Sequence, residues 1–194
     1  MLPRLLNLDT ALLTPRTVVR RFREGDGEAL YNLMQDNYSR LNDHFPKTLQ
    51  AANTMSNAEL LVRRWLAQWH LQEGFSLGIW LNETAALIGM VRVFHIDWDI
   101  PKAELLYWLD KEHTQLGLMT ECLGAVLPFA FEQLAIEKLS LRTAMDNVPS
   151  QRLARKCGFR REGDLRADFR KMSGELIDTM LFGLTRSEFL GTSA

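Results

Sequence analysis

The feature that most restricts this chain is the segment from Ala103 to Ala144, in which two strand patterns enclose a long helical one. Ala103 to Leu109 (AELLYWL) has the profile of a buried strand. Gly117 to Leu134 has helical spacing, with Pro128 as an awkward interior residue, and Lys138 to Ala144 (KLSLRTA) alternates with a period of two. Strands joined by so long a crossover pair in parallel. The stretch before them imposes the opposite rule. Phe75 to Leu81 and Ala86 to Ile96 are strand patterns separated by the turn residues Asn82-Glu83-Thr84, which signals an antiparallel hairpin. Together these patterns specify an α/β fold with a mixed, mostly antiparallel central sheet and helices on both faces.

The remaining segments fit around that sheet. Residues 11–23 read as a strand or bent strand pair ending at Glu24-Gly25-Asp26-Gly27, with Asp26 as a helix N-cap. Leu30, Leu33 and Met34 then carry a helix to about Tyr38. Residues 39–57 are polar and broken by Pro46, as in a loop or short helical turns. Leu60, Leu61, Trp65, Leu66 and Trp69 mark an amphipathic helix that Gly74 closes. Pro149 to Cys157 is a short helix stopped by Gly158, and two strands follow, Gly163 to Arg170 and Leu176 to Leu184, joined at Ser173-Gly174. The tail from Thr185 carries no clear signal. No repeat or low-complexity stretch divides the 194 residues, which are expected to form one domain.

Composition narrows the function classes. With 23 basic and 24 acidic side chains the net charge is -1, without the basic excess of a nucleic-acid binder. The four histidines are scattered, so no metal is expected. Cys122 and Cys157 sit beside apolar residues and read as small buried hydrophobes in a reducing compartment. The N-terminal residues lack a signal peptide's apolar run, and no stretch has the length of a membrane span. A cytoplasmic protein without membrane or direct nucleic-acid partners is the expectation.

The most informative region is Leu105 to Glu121, LLYWLDKEHTQLGLMTE. A strand ends at Asp110, a short polar loop follows, and a helix begins near Gly117. The first turn of a helix presents unpaired N–H groups and the positive end of its dipole. A glycine there lets an anion come close. The loop has neither a Walker lysine nor GxGxxG, so backbone amides alone would have to hold a pyrophosphate. Gly117 as a simple turn residue is the equal alternative.

Five short motifs, in this order and spacing, resemble the GNAT N-acetyltransferases: Tyr107-Trp108-Leu109-Asp110, Gly117-Leu118-Met119-Thr120-Glu121, Asn147-Val148-Pro149-Ser150, Lys156-Cys157-Gly158-Phe159 and Glu162-Gly163. More narrowly they resemble the ribosomal-protein N-terminal acetyltransferase subgroup. The resemblance runs from about Leu12 to Leu184. It implies acetyl-CoA as the acyl donor and a loop of pattern Gln/Arg-x-x-Gly-x-Gly/Ala around the CoA pyrophosphate. Thr114 takes the Gln/Arg slot, Gly117 the glycine slot and Met119 the last. Threonine departs from the pattern, and Gln115 stands one residue away. The implied cofactor contacts are the backbone of Tyr107, Trp108 and Leu109, the loop residues Gln115, Leu116, Gly117, Leu118, Met119 and Thr120, and the side chains of Asn147 and Ser150.

The resemblance also places Ser150 near the thioester sulfur, where it can hydrogen-bond the departing thiolate. Glu104 opens the strand on which GNAT enzymes commonly carry a glutamate base. Its bland alternative is a solvated residue paired with Lys102. Asp168 is a second, weaker base candidate, and His44 a third, acting through water. Asn147 is also a good helix N-cap, with Pro149 early in the helix. Arg152, Arg155 and Lys156 form either a solvated helix face or an attraction for the adenosine phosphates. The loop Asn42 to Pro46 and the Trp65/Trp69 helix are candidate acceptor walls, although tryptophans at i, i+4 are more often core. Asp97 and Asp99 meet a cationic substrate or belong to an ordinary loop. The acceptor is an amine, with a protein N-terminal α-amine foremost, a small amine such as an antibiotic, polyamine or amino acid next, and a non-catalytic CoA-binding module last. A homodimer is left open.

Overall fold

The structure is a computed structural model that describes residues 8–192, so the absence of a leader in residues 1–7 lies outside it. Eight strands form one sheet: β1 (Ala11–Leu13), β2 (Thr17–Arg21), β3 (Gly74–Leu81), β4 (Leu87–Asp97), β5 (Lys102–Leu109), β6 (Lys138–Ala144), β7 (Arg160–Arg170) and β8 (Leu176–Thr185). Their order is β1-β2-β3-β4-β5-β6-β8-β7. Only β5 and β6 run parallel, which the crossover requires. Every other neighbouring pair is antiparallel.

Helices cover both faces, each over its own apolar cluster. On one side lie α1 (Gly27–Asp36), α2 (Tyr38–Leu41), α3 (Pro46–Ala51) and α4 (Met55–His70). They pack Leu30, Met34, Val62 and Trp65 against Phe22, Met90 and Trp108. On the other side lie α5 (Leu118–Pro128) and α6 (Val148–Lys156), with Cys122, Leu123, Val126 and Ala154 set against Val91, Leu105, Leu139 and Phe182. The last helix, α7 (Arg186–Thr192), falls in the tail that carried no sequence signal.

Several elements differ from the sequence expectation for identifiable reasons. Asp26 occupies the N-cap position of α1 without capping it by its side chain. Its carboxylate instead accepts from the Arg23 amide and from both terminal nitrogens of Arg20, at 2.7 and 3.0 Å. Gly74 does not close α4. The helix ends at His70 with Leu71 as its C-cap, Gln72 takes the left-handed turn at φ 57°, and Gly74 starts β3. Leu60 is exposed, whereas Leu61, Trp65 and Trp69 are buried, which rotates the apolar stripe by one position. Pro128 divides the long helical pattern: α5 stops there and a π-helical turn, Phe129–Gln133, completes the descent to β6. Proline cannot donate to the helical ladder, so the register is relaxed at that point.

Trp69 and Phe129 join the end of α4 to that π-turn, with ring centroids 5.9 Å apart, and Phe75 meets both rings edge-on at 4.9 and 5.9 Å. Phe129 is fully enclosed. Phe129→Ala should therefore lose about 3–5 kcal/mol of unfolding free energy, read from urea denaturation midpoints at constant slope.

Candidate active site

The site begins where the parallel ladder stops. β5 and β6 share three residue pairs, Lys102 with Lys138, Ala103 with Leu139 and Glu104 with Ser140. Beyond these the strands part. β5 stays paired with β4 as far as Leu109, and β6 with β8 as far as Ala144. The facing edges of residues 105–109 and 141–144 therefore open a notch lined by main-chain polar groups. An extended, amide-bearing arm can add to such an edge as a strand would.

Two helix starts flank this notch because each helix follows the carboxyl end of one of its strands. Gly117 is the N-cap of α5 and adopts φ 78°, a left-handed conformation that suits glycine. Gln115 also has positive φ, 62°, so the loop doubles back immediately before the helix. Among the described residues, the amides of Gln115 through Thr120 have no acceptor. Leu118 and Met119 bury their side chains, so their offer to a ligand is main-chain N–H. Thr114 turns its hydroxyl back to the Lys111 carbonyl at 2.9 Å. At α6, Asn147 is the cap expected from sequence, its Oδ1 accepting from the Ser150 amide at 3.2 Å.

The loop is anchored from three sides. Asp110 accepts from Asn37 Nδ2 at 2.8 Å and contacts His113 Nδ1 at 2.8 Å, while Asn37 Oδ1 takes the Lys111 amide at 2.9 Å. Arg40 donates to the Leu109 carbonyl at 3.3 Å. From the opposite side Glu121 gathers Thr14 Oγ1 at 2.6 Å, the Arg16 amide at 2.8 Å and Arg16 Nε at 2.8 Å.

Tyr107 and Ser150 meet across the notch. Their hydroxyl oxygens are 3.1 Å apart, and Tyr107 also points at the Ser150 carbonyl at 3.4 Å. Burial pushes the Tyr107 phenol up to about 12 despite its hydrogen bond with Ser150, so it remains a neutral hydroxyl at ordinary pH. Trp108 points to the opposite face, buried beside Phe45 at 6.4 Å, and only its backbone borders the notch.

Glu104 does not pair with Lys102, whose partner is Asp97 at 3.7 Å. It instead contacts Arg142 at 2.7 Å and His95 Nδ1 at 3.1 Å. The same Arg142 reaches Asp168 at 3.2 Å, and Asp168 accepts from Thr179 Oγ1 at 2.6 Å. Both carboxylates singled out from the sequence thus converge on one guanidinium. Desolvation would lower the pKa of Arg142, but Glu104 and then Asp168 outweigh it and hold the guanidinium charged. Alternation along β6 placed Arg142 on this face, but its partners lie far away in sequence, at 104 and 168.

Other candidates sort simply. Trp65 and Trp69 are core, and His44 is exposed. Asp97 builds its own turn, accepting from the amides of Asp99 and Ile100. Arg152, Arg155 and Lys156 are exposed, with Arg155 set over the Phe182 ring at 5.4 Å. Cys122 is buried and Cys157 half-buried. Among the described residues there is no cluster able to hold a metal ion and no helix long and apolar enough to cross a membrane.

A family model described as an acetyltransferase (GNAT) domain matches residues 16–160. YdaF of Bacillus subtilis, a provisionally named ribosomal N-acetyltransferase, is 26% identical over 94% of this chain and 98% of its own. Among solved structures, RimJ of Mycobacterium smegmatis in complex with CoA-disulfide has a TM-score of 0.80 at 17% identity, covering 94% of this chain and 93% of that one. The spermidine/spermine N-acetyltransferase SpeG of Vibrio cholerae has a TM-score of 0.75 at 22% identity, covering 92% and 98%.

Burial would raise the Asp110 carboxyl, but hydrogen bonds from Asn37 and His113, the charge of His113 and the Lys111 amide together hold it below the usual carboxylate range. A depressed folded value stabilises the protein above the unfolded pKa of about 3.9 and loses that effect as pH falls through the folded value. Asp110→Asn should therefore cost on the order of 1 kcal/mol at pH 7, and the gap from wild type should shrink below about pH 4, read by urea unfolding at both pH values.

Proposed function

The chain belongs to the GNAT acetyltransferase family, and from that premise we propose that it moves the acetyl group of acetyl-CoA to a protein N-terminal α-amine. The observation that carries this reading is the notch between β5 and β6, bordered by the unpaired amides of residues 115–120 and by the Tyr107–Ser150 hydroxyl pair. The loop amides receive the diphosphate. The edges of Tyr107–Leu109 and of β6 pair with the pantetheine amides, and a β5 backbone N–H polarises the thioester carbonyl. The amine nitrogen attacks that carbonyl carbon, the C–S bond breaks, and Ser150 Oγ hydrogen-bonds the leaving thiolate. A free thiol has a pKa of about 8.5, so one donor suffices. Tyr107 orients the Ser150 hydroxyl.

The acceptor class follows from the state of the acids. Glu104, at the foot of the notch, accepts the amine's proton, but Arg142 and His95 already engage its carboxylate. Asp168 is likewise tied to Arg142 and Thr179. Deprotonating a lysine amine of pKa about 10.4 at pH 7 costs about 4–5 kcal/mol, against about 1–1.5 for an α-amine of pKa about 8. An engaged carboxylate matches the easier task. The similarity to both a ribosomal-protein-type and a polyamine-type enzyme makes the acceptor the point to test.

Acetyl-CoA at about 100 times its Kd should add about 2.7 kcal/mol to folding stability, visible as a thermal shift. Peptides with free N-termini should then be acetylated in preference to Nα-blocked lysine peptides and to spermidine. Turnover on spermidine alone would replace this acceptor by a polyamine. Ser150→Ala should lower kcat by about tenfold or more, with acetyl-CoA affinity nearly intact. Tyr107→Phe should produce a smaller drop, about fivefold. Unchanged turnover in Ser150→Ala would remove that hydroxyl from the mechanism.

A further inference from the structure

The first slot of the diphosphate loop holds Thr114, whose hydroxyl is spent on the Lys111 carbonyl. Neighbouring Gln115 is exposed and makes no side-chain hydrogen bond among the described residues. The exposed side chains of Lys111 and Gln115 are not fixed by any hydrogen bond among the described residues, so the loop offers a diphosphate main-chain amides but no side chain held in advance. A side chain that is held in advance comes from another element. Arg16, in the turn between β1 and β2, donates from Nη1 to the Leu116 carbonyl at 3.0 Å and from Nε to Glu121 at 2.8 Å. Among the described residues no other side chain donates to the backbone of residues 114–117.

Those two bonds fix the plane of the guanidinium and leave Nη2 without a partner. Nη2 stands 3.7 Å from where a Cβ on Gly117 would lie, and is the nearest atom to that point. The open side of Gly117 is thus bordered by a guanidinium edge. The side chain of Arg16 is half exposed while that of Glu121 is largely covered, so the free edge faces outward and the neutralising carboxylate lies behind it. Burial would raise the Glu121 carboxyl, but Thr14, the Arg16 amide and the Arg16 side chain outweigh it, so it stays ionised and keeps its hold.

We infer that Arg16 is a cofactor-binding residue whose guanidinium holds the diphosphate of CoA beside Gly117, in place of the side chain that Thr114 does not supply. This rests on the acetyl-CoA reading given above. The guanidinium is held in advance, so little side-chain freedom is lost on binding. Its contact is a charge-assisted hydrogen bond to a phosphate oxygen.

The test compares wild type, Arg16→Ala and Arg16→Lys by calorimetric titration with CoA, dephospho-CoA and S-acetylpantetheine, which lacks the diphosphate and nucleotide. Arg16→Ala should weaken CoA and dephospho-CoA alike, by about tenfold to a hundredfold, and leave the affinity for S-acetylpantetheine unchanged. Arg16→Lys keeps the charge without the two-point hold and should fall between, which keeps the test available should the alanine variant not fold. Equal losses with all three compounds would make Arg16 a structural strut only, and a loss confined to CoA would move its contact to the 3′-phosphate. Either overturns the inference, as does unchanged affinity in both variants. Wild type that binds neither CoA nor dephospho-CoA would instead overturn the acetyl-CoA reading itself, together with the inference built on it.

Discussion

Parallel pairing between β5 and β6 lasts for three residue pairs and stops at Glu104 and Ser140, although both strands continue and remain paired on their far sides. A sheet interior normally satisfies both edges of every strand, because buried main-chain polar groups are costly to leave unpaired. Here two edges are left open in the middle of an eight-stranded sheet. The vacancy is stable as architecture because β4 and β8 hold each strand independently. Its main-chain groups can pair with an added extended chain. Gly117, Asn147 and Ser150 matter because α5 and α6 each start at the carboxyl end of one of the parting strands.

Four carboxylates around the notch, Glu104, Asp110, Glu121 and Asp168, already have partners. Arg142 ties Glu104 to Asp168, Glu121 ties the β1–β2 turn to α5, and Asp110 ties α1 to the loop before α5. Exposed ion pairs contribute little to stability. These are partly covered and reinforced by hydroxyl or amide donors, and their value lies in fixing the loop and strand ends to which they attach. The two sheet faces are thereby connected: Asn37 follows α1 in one helical layer, while Asp110 and Lys111 begin the loop that leads to α5 in the other.

The β3–β4 hairpin, the single parallel pair and the two-sided helical cover were legible in the chain because each depends on local periodicity and connection length, whereas the order β6-β8-β7 was not. Gly117 and Asn147 were legible because left-handed φ and N-capping are local demands met by particular residue types. Gly74, Asp26 and Leu60 misled for the same reason. A glycine can start a strand as readily as end a helix, an aspartate near a helix start can prefer arginine to the cap, and a stripe of leucines can turn by one position when tryptophans claim the core.

Only the tertiary structure decided who meets whom. The chain itself determined that a strand, a loop and a helix would follow one another with Gly117 at the helix start, and that Ser150 would lie in the first turn of the next helix. It did not determine that Tyr107 would touch Ser150, that Glu104 and Asp168 would share Arg142, or that Arg16 would lean over Gly117. Those contacts join residues separated by 43, 38, 26 and about a hundred positions. Nothing in a local pattern encodes such distances. They are set by strand register and by the angle at which β5 and β6 part, quantities that exist only once the whole sheet has closed its pairing.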